Sequence, residues 1–416
     1  MLLISASIGV YFSCFKRRYN TTREYLLGGR KMKVFPIALS IVVSQFSGIT
    51  VIGVPADVYL YGATYWVMCL SLVFVVPLAI YIYLPVFCNL ELTSTYEYLE
   101  KRFDSKTKLL VSGFYIICTN IFLALTAYGP ALVFSTATGI DVQVVSFVVC
   151  GICVFYTAIG GLRTVIWTDV FQFVVIFGSL ASIFVISVRE LGGFQTIWMR
   201  AVDIFDFNLN PTKRDSFWII LIGSTIQLLC QISSHPTSVQ KFMAVPTYKD
   251  AAWSVIYFAL SLALIITFCI LIGLGINAKY SDCDPFITKQ IARRDQLTPY
   301  YVMDFAETFP GVFGLFIAGI FSAAISTISA NLNTLSGIIY KDFLIKYFKT
   351  NMSVKSTTRI LKLIVTIDGI ICMCLVFLIK YMEGRVFVLI IMLSAMKQNT
   401  NTIAQRLYCR AHSMEL

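Results

Sequence analysis

The chain has 416 residues, of which 58% are hydrophobic and 13% charged, with a formal net charge of +11. Soluble domains carry about 25% charged residues, so this composition excludes a water-soluble domain and marks a polytopic membrane protein whose length counts crossings. The positive balance does not call for nucleic acid, because basic residues beside membrane spans are topology signals. With two histidines, His235 and His412, a histidine-built metal site is not expected.

Residues 1–15 are apolar and are followed by Lys16-Arg17-Arg18. A signal peptide carries its positive charge before the apolar core, so this stretch reads as a partial leading transmembrane helix that starts outside. It is shorter than the ~20 residues a span needs. A basic connector over 16–33 follows, and further spans are predicted at 34–54, 65–87, 109–136, 142–159, 165–188, 217–238, 251–276, 311–340 and 360–380. A last apolar run covers 386–395. With the start outside, the inner connectors 16–33, 88–108, 160–164, 239–250 and 341–359 hold 19 Lys and Arg, and the outer ones hold 9. That bias follows the positive-inside rule. It also puts both glycosylation sequons, at Asn20 and Asn351, on the inner side, where neither is modified.

Two spans are interrupted as helices. The first carries Gln45, Ser47, Gly48, Thr50 and Gly53 before Pro55; the other carries Gly223, Gln227, Gln231, Ser233, Ser234, His235 and Pro236. Setting the leading helix aside, they are the first and sixth spans. Backbone leaves the helix at membrane depth only where protein or a cavity receives it. Interrupted spans at matching places in two halves point to a transporter built from inverted repeats, whereas the bland reading is a simple proline kink in each.

The stretch 319–333 is apolar but has one small, oxygen-bearing side, with Ala323, Ser326, Thr327 and Ala330 on one helical face. Small residues in membrane helices commonly serve packing; hydroxyls among them also suit a small hard cation. Asp169 lies at the inner end of the 165–188 span, either as a functional intramembrane acid or as a helix-start acid favoured by the helix dipole. Asp368 sits mid-span with no evident partner. Cys150 and Cys153 form a mid-span CxxC read as buried thiols. No carboxylate pair, Ser–His set or metal spacing suggests an enzyme.

Several segments taken together resemble one family. They are Gly28-Gly29-Arg30, Val54-Pro55-Ala56-Asp57-Val58-Tyr59, Thr93-Ser94-Thr95-Tyr96-Glu97-Tyr98-Leu99, Gly160-Gly161-Leu162, Trp167-Thr168-Asp169 and the 319–337 helix. In this order they resemble the sodium:solute symporter family, and within it the branch carrying monocarboxylates, vitamins such as biotin and pantothenate, and iodide. The resemblance implies an all-α membrane protein with LeuT-like inverted five-helix repeats, a preceding extra helix and an incomplete last core helix. It implies a sodium site from the carbonyls of Val43, Phe46 and Ala323 and the hydroxyls of Ser326 and Thr327. Asp169 would serve cation passage or coupling, and Gln45, Thr50, Met68, Tyr128 and Gln231 would line the substrate cavity.

The expected organisation is a leading helix over 1–15, a cytoplasmic basic connector over 16–33, and a first repeat over 34–188. An extracellular loop over 189–216, a second, incomplete repeat over 217–395 and a divergent polar tail over 396–416 complete it. His235-Pro236 and the segment after Ala395 depart from the family pattern. The implied function is sodium-coupled symport of a small organic anion, with the lipid bilayer of the plasma membrane as partner, sodium as co-substrate and no cofactor. The alternative is a truncated, non-transporting relative with a regulatory or membrane-interaction role.

Overall fold

Hydrocarbon offers no hydrogen bonds, so apolar runs of this length are stable only when each backbone group is paired within its own segment, as in a helix. The computed structural model describes residues 1–14, 22–89, 95–201, 209–212, 216–306, 308–345 and 354–380, and all regular elements among them are helical. The sequons, the 386–395 run and the tail over 396–416 lie outside the described residues.

The chain opens with α1 (Leu2–Cys14) and the short α2 (Thr22–Leu27), followed by α3 (Val34–Gln45) and α4 (Gly48–Tyr61). Next come α5 (Ala63–Asn89), α6 (Thr95–Arg102), α7 (Ser105–Thr138) and α8 (Val142–Glu190). Then α9 (Phe194–Ala201), α10 (Phe217–Ser233), α11 (Pro236–Phe242) and α12 (Tyr248–Tyr280) lead to α13 (Leu297–Ala306), α14 (Val312–Leu344) and α15 (Val354–Lys380). The spans alternate between two faces. One, here the lid face, bears 191–201 and 281–306; the opposite, basic face bears 95–104 and Ile345.

Both interrupted spans are bent pairs: α3 and α4 meet at 67°, α10 and α11 at 57°. They stand five crossings apart, because α8 supplies two. At 1.5 Å per residue its 49 residues would run about 70 Å, over twice the hydrocarbon thickness. It turns back at Gly161, whose φ of 54° and ψ of −161° leave the helical region. No side chain fits there, since a Cβ would lie 2.9 Å from the Tyr25 carbonyl. The turn frees carbonyls of the first leg, and the buried Tyr25 hydroxyl donates to Ala158 O at 3.2 Å.

The centre of the molecule is α14. Tyr156 on the first leg of α8 reaches Ile325 O, Gly319 lies against Ser179 on the second leg, and α7, α3, α4 and α15 surround the rest. The leading α1 packs along α8, where Gln172 donates to the buried Ser5 hydroxyl at 3.5 Å. On the basic face Lys108 bridges Glu100 (2.8 Å) and Asp342 (3.0 Å), tying α6 and α7 to the end of α14. All five tryptophans are 39–53% exposed and sit at or just beyond the ends of spans, as interfacial anchors do.

The Gly161 elbow gives a direct test. Gly161→Ala is expected to lower stability by about 1–3 kcal/mol, through the positive φ and the clash with Tyr25. Gly151→Ala, with nothing within 4 Å of a new Cβ, is expected to leave stability unchanged or slightly raised. Thermal unfolding of the purified protein distinguishes the two.

Candidate functional site

A helix that stops at membrane depth leaves its last carbonyls without amide partners. At the first break Phe46 and Ser47 are extended (ψ 102° and 159°), and Ser47 caps α4 by accepting from Thr50 N at 3.3 Å. Side chains of α14 meet the freed end of α3. Ser326 Oγ lies 2.9 Å from Val43 O and 2.9 Å from Ala323 O, and Thr327 Oγ1 donates to Ala323 O at 3.0 Å. Val43, Ala323, Ser326 and Thr327 thus form one buried knot of oxygen atoms. Phe46 is buried beside it as the cap of α3, its N–H donating to Val42 O at 2.9 Å. Neutral carbonyls and hydroxyls without a fixed charge are the donor set a hard monovalent cation accepts.

The approach of three helices makes this knot possible. A Cβ on Gly48 would lie 2.9 Å from Ile320 O and 3.2 Å from Pro130, so only glycine lets the start of α4 pass between α7 and α14.

The second break is held by α11. Pro236 opens this helix at a position where its missing N–H is no loss, which accounts for the His235-Pro236 departure. Each polar residue of α11 bonds to another element. Thr237 donates to Asn331 (3.3 Å), and Ser238 accepts from Gln45 (2.8 Å). Gln240 donates to Leu26 O (2.8 Å) and accepts from Thr334 (2.7 Å). Lys241 donates to Asp169 Oδ2 (2.9 Å) and to Ser40 O (2.9 Å). The Gln45–Ser238 bond joins the two breaks directly.

Asp169 is therefore part of an ion pair. Both it and Lys241 are fully buried, and Ser40 Oγ adds a second contact to Oδ2 at 2.6 Å. The sequence reading counted Lys241 in the inner connector 239–250; the structure places it inside α11, opposite the acid. Lys241 and Ser40 are the residues that reading missed. The available signal was an acid inside one span with no base named for it, since a buried charge requires a partner. Asp368, also without an evident partner in the sequence, is buried on α15 against Asn120 of α7.

The proposed substrate residues are only partly gathered. Gln45 and Thr50 flank the first break, where Thr50 Oγ1 and Ser47 Oγ share a hydrogen bond at 3.0 Å. Tyr128 of α7 is half-buried next to Gly129 and Pro130, which touch Ile49 and Gly48. Met68 on α5 and Gln231 on α10 lie on further helices, and among the described residues no hydrogen bond joins Met68, Tyr128 or Gln231 to Gln45 or Thr50.

Five spans in the first half and, among the described residues, four in the second, each set opening on a broken helix whose freed end meets neutral oxygen atoms, have the architecture of a secondary transporter. The chain belongs to the sodium:solute symporter family, whose profile matches residues 25–404. It is 34% identical over 391 residues to sodium-coupled monocarboxylate transporter 2 of Danio rerio, covering 93% of this chain and 63% of that protein. It is 35% identical to human sodium-coupled monocarboxylate transporter 1 (89% and 62% covered) and 33% identical to the human sodium/iodide cotransporter (93% and 61%). The chain thus spans somewhat less than two thirds of the length of these relatives. Among solved structures, a Na+-coupled sialic acid symporter in its substrate-bound outward-open state superposes with a TM-score of 0.85 at 25% identity, covering 97% of this chain and 84% of that one. The nucleobase-cation symporter Mhp1 in a closed conformation shares the fold, with a TM-score of 0.54 at 12% identity, covering 91% of this chain and 77% of that one.

Removing one member of a buried ion pair costs about 3–5 kcal/mol, because the other charge is left without a counterion. Lys241→Met is expected to destabilise by that amount, and adding Asp169→Asn to restore most of it. Equal thermal unfolding of the single and double variants would remove the pairing as the cause.

Proposed function

We propose that this chain carries out sodium-coupled symport of a small organic anion, a monocarboxylate or a vitamin acid, across the plasma membrane. The single observation that carries the reading is the contact between the Ser326 hydroxyl and the Val43 carbonyl, where the broken first span meets α14. Sodium is the co-substrate here. Val43 O, Phe46 O, Ala323 O and the Ser326 and Thr327 hydroxyls are its proposed ligands, with the hydroxyl protons rotating away from the carbonyls as the ion takes their place. A cation held by both α3 and α14 favours the conformation in which the two are together, and coupling follows if that conformation also receives the anion better.

The anion would lie at the break beside Gln45 and Thr50, with Met68, Tyr128 and Gln231 contributing as the bundle closes. The α4 N-terminus, at the positive end of the helix dipole, suits carboxylate oxygens. The names of the monocarboxylate and iodide relatives support a small anion. Asp169 would act through Lys241. While the pair stands, its ammonium neutralises the acid and ties α11, α3 and α8 together on the basic face, so release of sodium toward that face requires the pair to rearrange. The lid face is then extracellular and the basic face cytoplasmic, in keeping with the positive-inside bias. The membrane potential contributes about 2.3 kcal/mol per charge per 100 mV to entry of sodium.

The test is sodium-activated current and uptake of labelled pyruvate in cells with the protein at the surface. Thr327→Ala is expected to raise the sodium concentration for half-activation about tenfold, the loss of one charge-assisted contact, with surface expression unchanged. Identical activation curves for variant and wild type would reject the site. A surface-resident protein giving neither current nor uptake would favour a non-transporting relative.

A further inference from the structure

The segment closing the lid face has two differently equipped sides. On one side of α13, Thr298, Tyr301, Val302 and Phe305 are at most 2% exposed and face the bundle. Thr298 Oγ1 donates to Ile52 O of α4 at 2.7 Å, and Tyr301 OH donates to Ser187 Oγ at 2.8 Å. Arg294, one turn earlier, lies over the Tyr61 ring at 5.2 Å, clasping the end of α4. The other side follows the same helical period. Gln296, Tyr300 and Met303 line a cavity of ≈ 180 Å³ between α13, the lid-face end of α7 and the start of α14.

The cavity lining is mixed in a specific way. Leu132 and Val133 of α7, Phe313 of α14 and Met303 supply apolar surface. Gln290, Arg293, Gln296 and Tyr300 supply polar groups, and the Tyr300 hydroxyl donates to Gln290 Oε1 at 2.9 Å. Arg293 is exposed, and among the described residues its guanidinium forms no ion pair. Asp295 also lines the cavity, so the surface is not uniformly cationic and does not suit a polyanion. A free guanidinium fork matches one carboxylate, and the neighbouring apolar surface matches a compact hydrocarbon body. The volume is below the roughly 300–1,000 Å³ of drug-sized pockets, which limits the ligand to a single ring or a short chain.

We propose that this cavity is a second ligand site, distinct from the break between α3 and α4, for a small amphipathic monocarboxylate. Leu132 is one helical turn from Tyr128 toward the lid face, so the site stands on the lid-face side of the proposed substrate residues. Its occupant contacts the reverse side of the helix whose other side bonds to α4, and therefore favours the lid in place over that helix.

Benzoate is the probe, and benzylamine is its cationic counterpart of similar size. Equilibrium dialysis of labelled benzoate against the purified full chain, with sodium replaced by N-methylglucamine, reads this site without reference to transport. Saturable binding is expected. It should weaken about tenfold in Arg293→Gln, disappear in Met303→Trp as the indole fills the cavity, persist in Gln45→Ala, and resist displacement by benzylamine. Binding unchanged in both cavity variants, loss in Gln45→Ala, displacement by benzylamine, or no saturable binding would each overturn the proposal. Failure of sodium-coupled uptake alone would bear on the symport reading and leave this binding result standing.

Discussion

The constraint on which the structure depends is that hydrocarbon accepts no unpaired backbone polar group. Two spans break at membrane depth, and each break exposes helix-end carbonyls and amides that neighbouring side chains must satisfy. Ser326 supplies a hydroxyl to Val43 O, Ser47 caps α4, and Gln45 reaches across to Ser238 in the other broken span. The same groups that repair the breaks gather neutral oxygen atoms in a desolvated place. A packing requirement and the proposed ion site therefore share residues.

The Asp169–Lys241 pair extends that principle to full charges. Two ions without solvent contact recover their desolvation cost only with good geometry and added hydrogen bonds, here from Ser40 Oγ to the acid and from Lys241 to Ser40 O. Such a pair contributes less to net stability than its short distance suggests. What it does contribute is a unique arrangement of α3, α8 and α11, since any other register would leave a bare charge in the interior. The Lys108 bridge to Glu100 and Asp342 is more peripheral, because Glu100 reaches partly into solvent.

On the lid face the chain uses helical periodicity to separate two tasks within α13 and the 3₁₀ turn that leads into it. Thr298, Tyr301, Val302 and Phe305 fasten the lid to the bundle, whereas Gln296, Tyr300 and Met303 face outward onto a mixed cavity. One short helix thus lies between α4 and the cavity, bonded to Ile52 O of α4 through Thr298 and lining the cavity with Tyr300 and Met303.

Much of this architecture was legible in the order of residues. Apolar runs revealed the spans, because burying a helix in lipid demands about 20 apolar residues regardless of what it packs against. Gln45, Ser47 and Gly48 before Pro55, and Ser233 to Pro236, marked the two breaks, since such residues in hydrocarbon have few other uses. Spacing along 319–333 placed Ser326 and Thr327 on one face. Tertiary structure alone decided which partners these groups meet. The approach of Ser326 to Val43, the pairing of Lys241 with Asp169 and the meeting of Gln45 with Ser238 join positions 283, 72 and 193 residues apart. Local periodicity states which side of a helix a residue occupies; only the packing of all the helices states what stands opposite.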